Sequence, residues 1–178
     1  MKRHNLGWID LEMTGLDVDN EEIIEIATIV TDQDLNIIDI GPDLVIKTKQ
    51  IVLDNMDDWN TNQHTKSGLV DKVLKSNVTI SQAEQITLDF LSKYLNPKES
   101  PLCGNTVSHD RKFLFKYMPT LESFFSYRHL DVTSIKLLNN YWYPSIKQSN
   151  KKESLHLALE DIKDSIAELK FYKDNIFK

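Results

Sequence analysis

Apolar and polar residues alternate at the start of the chain. Between Gly7 and Met13, Ile9, Leu11 and Met13 alternate with Trp8, Asp10 and Glu12, the period-two pattern of a strand with two unlike faces. The stretch runs into a turn at Thr14-Gly15, and Asp17 to Asn20 is a further polar turn. Ile23 to Thr31 is nearly continuous and β-branched, which predicts a strand buried on both faces. After Asp32-Gln33-Asp34, the stretches Asn36 to Ile40 and Leu44 to Lys47 predict a third strand, interrupted at Gly41-Pro42. Three consecutive strands joined by short turns make an antiparallel meander.

The period then changes. Leu53 to Asn60 and Gln63 to Leu69 read as short helices or ordered loop, and Val70 to Ser76 as a helical piece. Ser81 to Glu84 has the pattern of a capping box, and Ile86, Phe90, Leu91 and Leu95 follow at helical spacing as far as Asn96-Pro97. Leu102 to Gly104 and His129 to Val132 are short strands. Asp110 to Tyr117, Thr133 to Trp142 and Leu157 to Tyr172 are helices, and Gln148 to Glu153 is a polar loop. This order predicts an α/β fold: a mixed central sheet led by three antiparallel strands and flanked by helices. No repeat, linker or low-complexity segment divides residues 1–178, so a single domain is expected.

At 178 residues, 40% hydrophobic and 27% charged, the chain can bury a sizeable core. No apolar run approaches the ~20 residues that span a bilayer, and the basic start, Met1 to Asn5, lacks an apolar export segment. Its one cysteine, Cys103, leaves no intrachain disulfide and no thiolate metal cluster. A cytoplasmic protein without a membrane partner is expected. The net charge of −6 and pI near 5.3 come without a basic stripe of the kind that tracks a long nucleic acid; Lys147, Lys151 and Lys152 cluster only around a polar loop. A nucleic-acid substrate would be held by few, local contacts.

Asp10 and Glu12 point the same way, roughly 5–7 Å apart on an otherwise apolar strand. At about 5 Å and an effective dielectric near 20 they repel by about 3 kcal/mol. Either water reaches them freely, as on an edge strand with one wet face, or a cation such as Mg²⁺ sits between them. Glu25, inside the buried second strand, reads as a carboxylate bonded to nearby backbone or a hydroxyl rather than as a metal ligand. Two further acids stand where they could answer the pair. Asp110 follows a buried strand end, and Asp161 lies in the last helix, five residues after His156. Five helical residues diverge by about 140°, so His156 converges with Asp161 only from the helix start or the loop before it. Taken singly, an N-cap, a solvated helix face and a surface histidine account for the three equally well.

Taken in order, Asp-x-Glu, Asp after a Gly-Asn strand end and His-x4-Asp resemble the DEDD-type 3′→5′ exonucleases of the ribonuclease-H-like fold, in the histidine subclass. More closely, the chain resembles the oligoribonuclease family. The likeness is carried by Trp8 to Leu16, Met56 to Asn60, His64-Thr65, Ser67-Gly68-Leu69 and Arg111 to Pro119, and runs from about Leu6 to the C-terminus. It implies that Asp10, Glu12, Asp110 and Asp161 hold two Mg²⁺ or Mn²⁺ ions, with His156 as general base. It also implies RNA substrates of two to about five nucleotides, cut to nucleoside 5′-monophosphates. Leu16 would wedge against a base, Trp59 stack on one and His64 contact a phosphate, while Thr106, Thr133 and Ser134 cap the 5′ phosphate. In the homodimer the family forms, Tyr127 and Arg128 would reach the partner's site. The residues by themselves also allow Trp59 in the core. Three positions depart from the family pattern: Thr106 stands for Ser, His109 for Gln and His129 for a frequent Tyr. A proofreading-type DNA exonuclease of the same superfamily and a catalytically dead nucleic-acid-binding module are the competing readings. The Met56 to Trp59 stretch speaks against the first, the four retained carboxylates against the second.

Overall fold

The structure is a computed structural model that describes residues 4–147 and 157–177. Among these residues, β1 (Leu6–Met13), β2 (Ile23–Thr31), β3 (Ile37–Val45), β4 (Leu102–Gly104) and β5 (His129–Asp131) form one sheet in the order β3-β2-β1-β4-β5. The first three strands are antiparallel, and β4 and β5 add in parallel beside β1. The helices are α1 (Gln50–Asp54), α2 (Asp58–Lys66), α3 (Leu69–Lys75), α4 (Ile80–Leu91), α5 (Ser108–Tyr117), α6 (Pro119–Phe124), α7 (Val132–Trp142) and α8 (Ala158–Asn175). None of them is long and apolar enough to cross a membrane.

Helices cover both faces of the sheet. On one face Ile9, Leu11, Ile26 and Val30 pack with Phe90 and Leu91 of α4, Phe113 and Leu114 of α5 and Leu121 of α6. On the other, Trp8, Ala27, Ile29 and Cys103 pack with Val132 of α7 and with Ala158, Ile162, Ile166 and Leu169 of α8. β2 sits between the two layers and is buried along its whole length, which is why its sequence is apolar without alternation. Ile24 alone turns to a smaller cluster with Leu53, Met56, Leu69 and Val73, which seats α1 to α3.

Four expectations are corrected. The third strand is not interrupted: β3 runs through Gly41-Pro42, because at the sheet edge the amide that proline lacks is not needed for a ladder. Its register against β2 shifts there, and a Cβ on Gly41 would lie 2.3 Å from Thr28 Oγ1 and 2.6 Å from the Phe90 ring, so glycine permits the close passage. The capping box is Thr79 with Gln82, two residues before the expected Ser81 with Glu84. Glu84 instead accepts hydrogen bonds from the Thr120 and Leu121 amides, at the start of α6. α4 itself ends at Leu91, short of Asn96-Pro97, although Leu95 remains buried. Finally, Pro119, which stops α5, occupies the first turn of α6, a helix the sequence did not announce; proline suits that position because no intrahelical amide is needed there.

Candidate active site

β1 sets the first two acids by its pleat. Across the β1–β2 ladder Trp8 faces Ile29, Asp10 faces Ala27 and Glu12 faces Glu25, all on the side that α8 covers. Ala27 is small, and it leaves the space opposite Asp10 to carboxylates. Asp161, in the first turn of α8, completes a group: oxygens of Asp10, Glu12 and Asp161 all lie within 4.8 Å of one another. Asp110 enters from the first turn of α5. On β1, β4 pairs only with Gly7 and Trp8, and beyond that pairing the Leu11 amide donates to Asp110 Oδ1 at 3.2 Å. The fourth acid is thus fixed to the backbone residue between the first two.

Burial is the main electrostatic fact of this cluster. It holds the Asp10 carboxyl well above the usual range, with Asp110, Glu12 and Asp161 adding their repulsion. Burial, then Asp161, Glu25 and Asp110, pushes Glu12 up to about 8. Asp110 is pushed up to about 7 by burial, against the opposing pull of amide hydrogen bonds, Leu11's among them. Carboxylates so crowded cannot all ionise at neutral pH without a counter-charge. An all-oxygen, multiply anionic donor set is what a hard divalent cation requires, so the residues fit Mg²⁺ or Mn²⁺.

The residues expected to meet a substrate are mostly exposed. Leu16 is 77% exposed and Trp59 59% exposed, which takes Trp59 out of the core. The Thr106 and Thr133 hydroxyls stand 3.1 Å apart, and the Thr106 amide donates to Asp131 Oδ1 and Thr133 Oγ1, both at 3.0 Å. Thr106 has φ +50°, a left-handed conformation costly for a β-branched residue, held here by those bonds. Ser134 is exposed one residue further along α7. Tyr127 is 78% exposed, and the Arg128 guanidinium stacks 4.7 Å from its ring centre. Arg111 holds this segment from below: its Nε pairs with Glu122 at 2.7 Å, and its Nη1 donates to the Ser126 carbonyl at 2.8 Å.

The Exonuclease (RNase_T) family model matches residues 8–169. The oligoribonuclease of Legionella pneumophila (strain Corby) is 55% identical over 171 residues, which cover 96% of this chain and 91% of that one. That of Acinetobacter baylyi is 52% identical over 170 residues, covering 96% and 93%. The chain belongs to the oligoribonuclease family of exonucleases. It is a nuclease and hydrolase, and its α/β fold is of the ribonuclease-H-like kind. Among solved structures, an exonuclease I from Methylocaldum szegediense superposes with a TM-score of 0.74 at 18% identity, over 98% of this chain and 41% of that one. A zinc-bound E. coli exonuclease I–ssDNA complex gives 0.71 at 14%, over 98% and 41%. These two share the fold, and the chain spans about two-fifths of their length.

Within this oligoribonuclease framework, one expected contact residue is buried and one lies out of view. His64 is 1% exposed; it donates from Nε2 to the Met13 carbonyl at 2.9 Å, and its Nδ1 lies 4.0 Å from Glu12 Oε2. It sits beside Glu12, because the inward side of α2 packs under the turn after β1. His156 lies outside the described residues, and α8 begins at Ala158. His109, beside Asp110, tilts against Phe113 at 5.3 Å, and burial followed by Lys112 lowers its pKa. It is a neutral neighbour of the acids. Asn105, Ser165 and Arg111 were not foreseen as parts of the site. For Arg111 a signal existed, its place next to Asp110; for single polar residues such as Asn105 and Ser165 there was none.

Proposed function

We propose that the chain is a 3′→5′ exoribonuclease that degrades RNA of two to about five nucleotides, dinucleotides above all, to nucleoside 5′-monophosphates. The observation that supports this reading most is the cluster of Asp10, Glu12 and Asp161 within 4.8 Å, with Asp110 bonded behind it. In this reading these four acids hold two divalent ions, Mg²⁺ or Mn²⁺, which supply water activation and charge stabilisation at the leaving 3′ oxygen. His156 takes the proton of the attacking water, a task that an ordinary imidazole pKa of about 6.5 suits.

Exposed Leu16 wedges against one base and exposed Trp59 stacks on one; an aromatic stack contributes about 1–3 kcal/mol per base. Thr106, Thr133 and Ser134 receive the terminal 5′ phosphate. His64 contacts a phosphate of the bound RNA, from its place beside Glu12 and the Met13 carbonyl. Tyr127 and Arg128 reach the site of a second copy in a homodimer. We place the whole chain, as one exonuclease unit, in a reducing cytoplasm, where the buried thiol of Cys103 stays reduced. A time course on 5′-labelled RNAs of two to seven nucleotides, with Mn²⁺ and with EDTA, tests the reading. The expected result is metal-dependent release of nucleoside 5′-monophosphates, fastest from the shortest RNAs. Internal cuts, or a preference for DNA, would overturn it.

A further inference from the structure

We propose that α8 is pinned on both sides of Asp161, by Glu25 and by Asn105, and that both are positioning residues for metal binding. The proposal rests on the reading of Asp161 as a metal ligand. Glu25 is 1% exposed, a carboxylate inside a strand that is otherwise apolar apart from two threonines. Its Oε2 accepts the Ala158 amide at 3.0 Å across 133 positions of chain. Ala158 is the first residue of α8, whose N-cap position, Leu157, offers no side-chain acceptor. Glu25 thus does from the sheet what an N-cap side chain does from the chain itself.

The second pin lies one turn beyond Asp161. Asn105 Nδ2 donates to Ser165 Oγ at 2.8 Å, and Ser165 Oγ donates to the carbonyl of Asp161 at 2.8 Å. Asn105 Oδ1 accepts from Thr133 Oγ1 at 3.3 Å, which ties the same side chain to the end of β5 and the start of α7. Asp161 therefore stands between a bond to residue 158 and a bond that ends on its own peptide. Glu25 is outside the group of oxygens within 4.8 Å, although it faces Glu12 across the ladder. Its role is to aim a ligand, not to be one.

The test uses the full chain with Mn²⁺ as the probe. Glu25→Gln keeps an oxygen acceptor without the charge. Glu25→Met fills similar space without an acceptor, and folding is expected because it also removes a buried like charge. Mn²⁺ affinity is measured by calorimetry, and amide exchange in the first turn of α8 is followed in EDTA. Partners that orient metal ligands typically carry about 10–100-fold in affinity. Glu25→Met is expected to weaken Mn²⁺ about tenfold and to speed exchange at Ala158, whereas Glu25→Gln stays within about twofold of the parent on both. Asn105→Ala is expected to weaken Mn²⁺ similarly, and decides the matter if Glu25→Met does not fold. Gln as damaging as Met would make Glu25 a ligand and overturn the proposal, as would unchanged affinity in Asn105→Ala or in a folded Glu25→Met. A parent that binds no Mn²⁺ would instead defeat the metal-site reading on which this one stands.

Discussion

Asp10, Glu12 and Asp161 crowd one another, whereas Asp110 also satisfies the Leu11 amide. On the proposed two-metal reading, each of Asp10→Ala, Glu12→Ala, Asp110→Ala and Asp161→Ala is expected to abolish cleavage, since shared ligation would fail with any member. In EDTA their stabilities should divide. Asp10→Ala removes a buried like charge and should melt at or above the parent, while Asp110→Ala leaves a buried amide unpaired and should lose about 1–3 kcal/mol. Activity assays beside thermal melts check both halves, and near-normal turnover would remove that residue from the site. His156→Ala should keep Mn²⁺ affinity within a few-fold and lose about 10²–10⁴ in turnover, the usual consequence of removing a general base. A large drop in metal affinity by calorimetry would make His156 a ligand instead.

At the scale of elements, caps decide where helices begin. Thr79 accepts the Gln82 amide and Gln82 reaches back to the Thr79 amide, so α4 starts with two amides satisfied. Thr79→Ala should destabilise the protein by about 1 kcal/mol in urea unfolding with cleavage intact, whereas Ser81→Ala should fall within about 0.5 kcal/mol of the parent. Equal effects at the two positions would contradict the assigned cap. The same logic explains Glu84: its carboxylate satisfies two amides at the start of α6, where no side-chain cap stands at Met118.

For the whole molecule, the buried acids link stability to pH. Glu12 and Asp110 titrate near 4 in the unfolded chain and at about 8 and about 7 when folded. Between those values the folded, metal-free protein holds protons at these two groups that the unfolded chain has released, so the stability they contribute is fully present below about pH 4 and is lost as pH rises through 8. Thermal melts in EDTA from pH 5.5 to 8.5 should show a falling midpoint, and Mn²⁺ should raise it more at pH 8 than at pH 6. A metal-free midpoint that climbs over this range would contradict the assignment. Substrate length belongs to the same scale. At a net charge of −6, each added phosphate meets few new cations. If Tyr127 and Arg128 of a second copy close one end, as proposed, a 5′-phosphorylated dinucleotide should bind more tightly than a heptanucleotide, and dilution to monomers should remove activity. Equilibrium binding across two to seven nucleotides, with and without the 5′ phosphate, checks the first. Full activity from a proven monomer would defeat the second.

Much of this was legible in the sequence, for a local reason. Backbone pleat fixes a period of two, so Asp10 and Glu12 had to share a face, and the unbroken apolar run from Ile23 to Thr31 had to be a strand covered on both sides. Turn residues marked the ends of β1, β2 and α5, and the order of acids along the chain singled out Asp10, Glu12 and Asp161, whose oxygens the fold brings within 4.8 Å of one another. What the sequence left open depends on partners far away in the chain. Only the edge position of β3 lets it carry Pro42, and only the approach of α6 takes Glu84 from the cap it resembles. Whether Trp59 packs or stands exposed, and whether His64 meets solvent, turned on how α2 seats against the turn after β1. The meeting of Asp161 with β1, and of Glu25 with Ala158, required α8 to lie across the sheet. Periodicity decides which side of an element a residue takes, and packing between elements decides what it finds there.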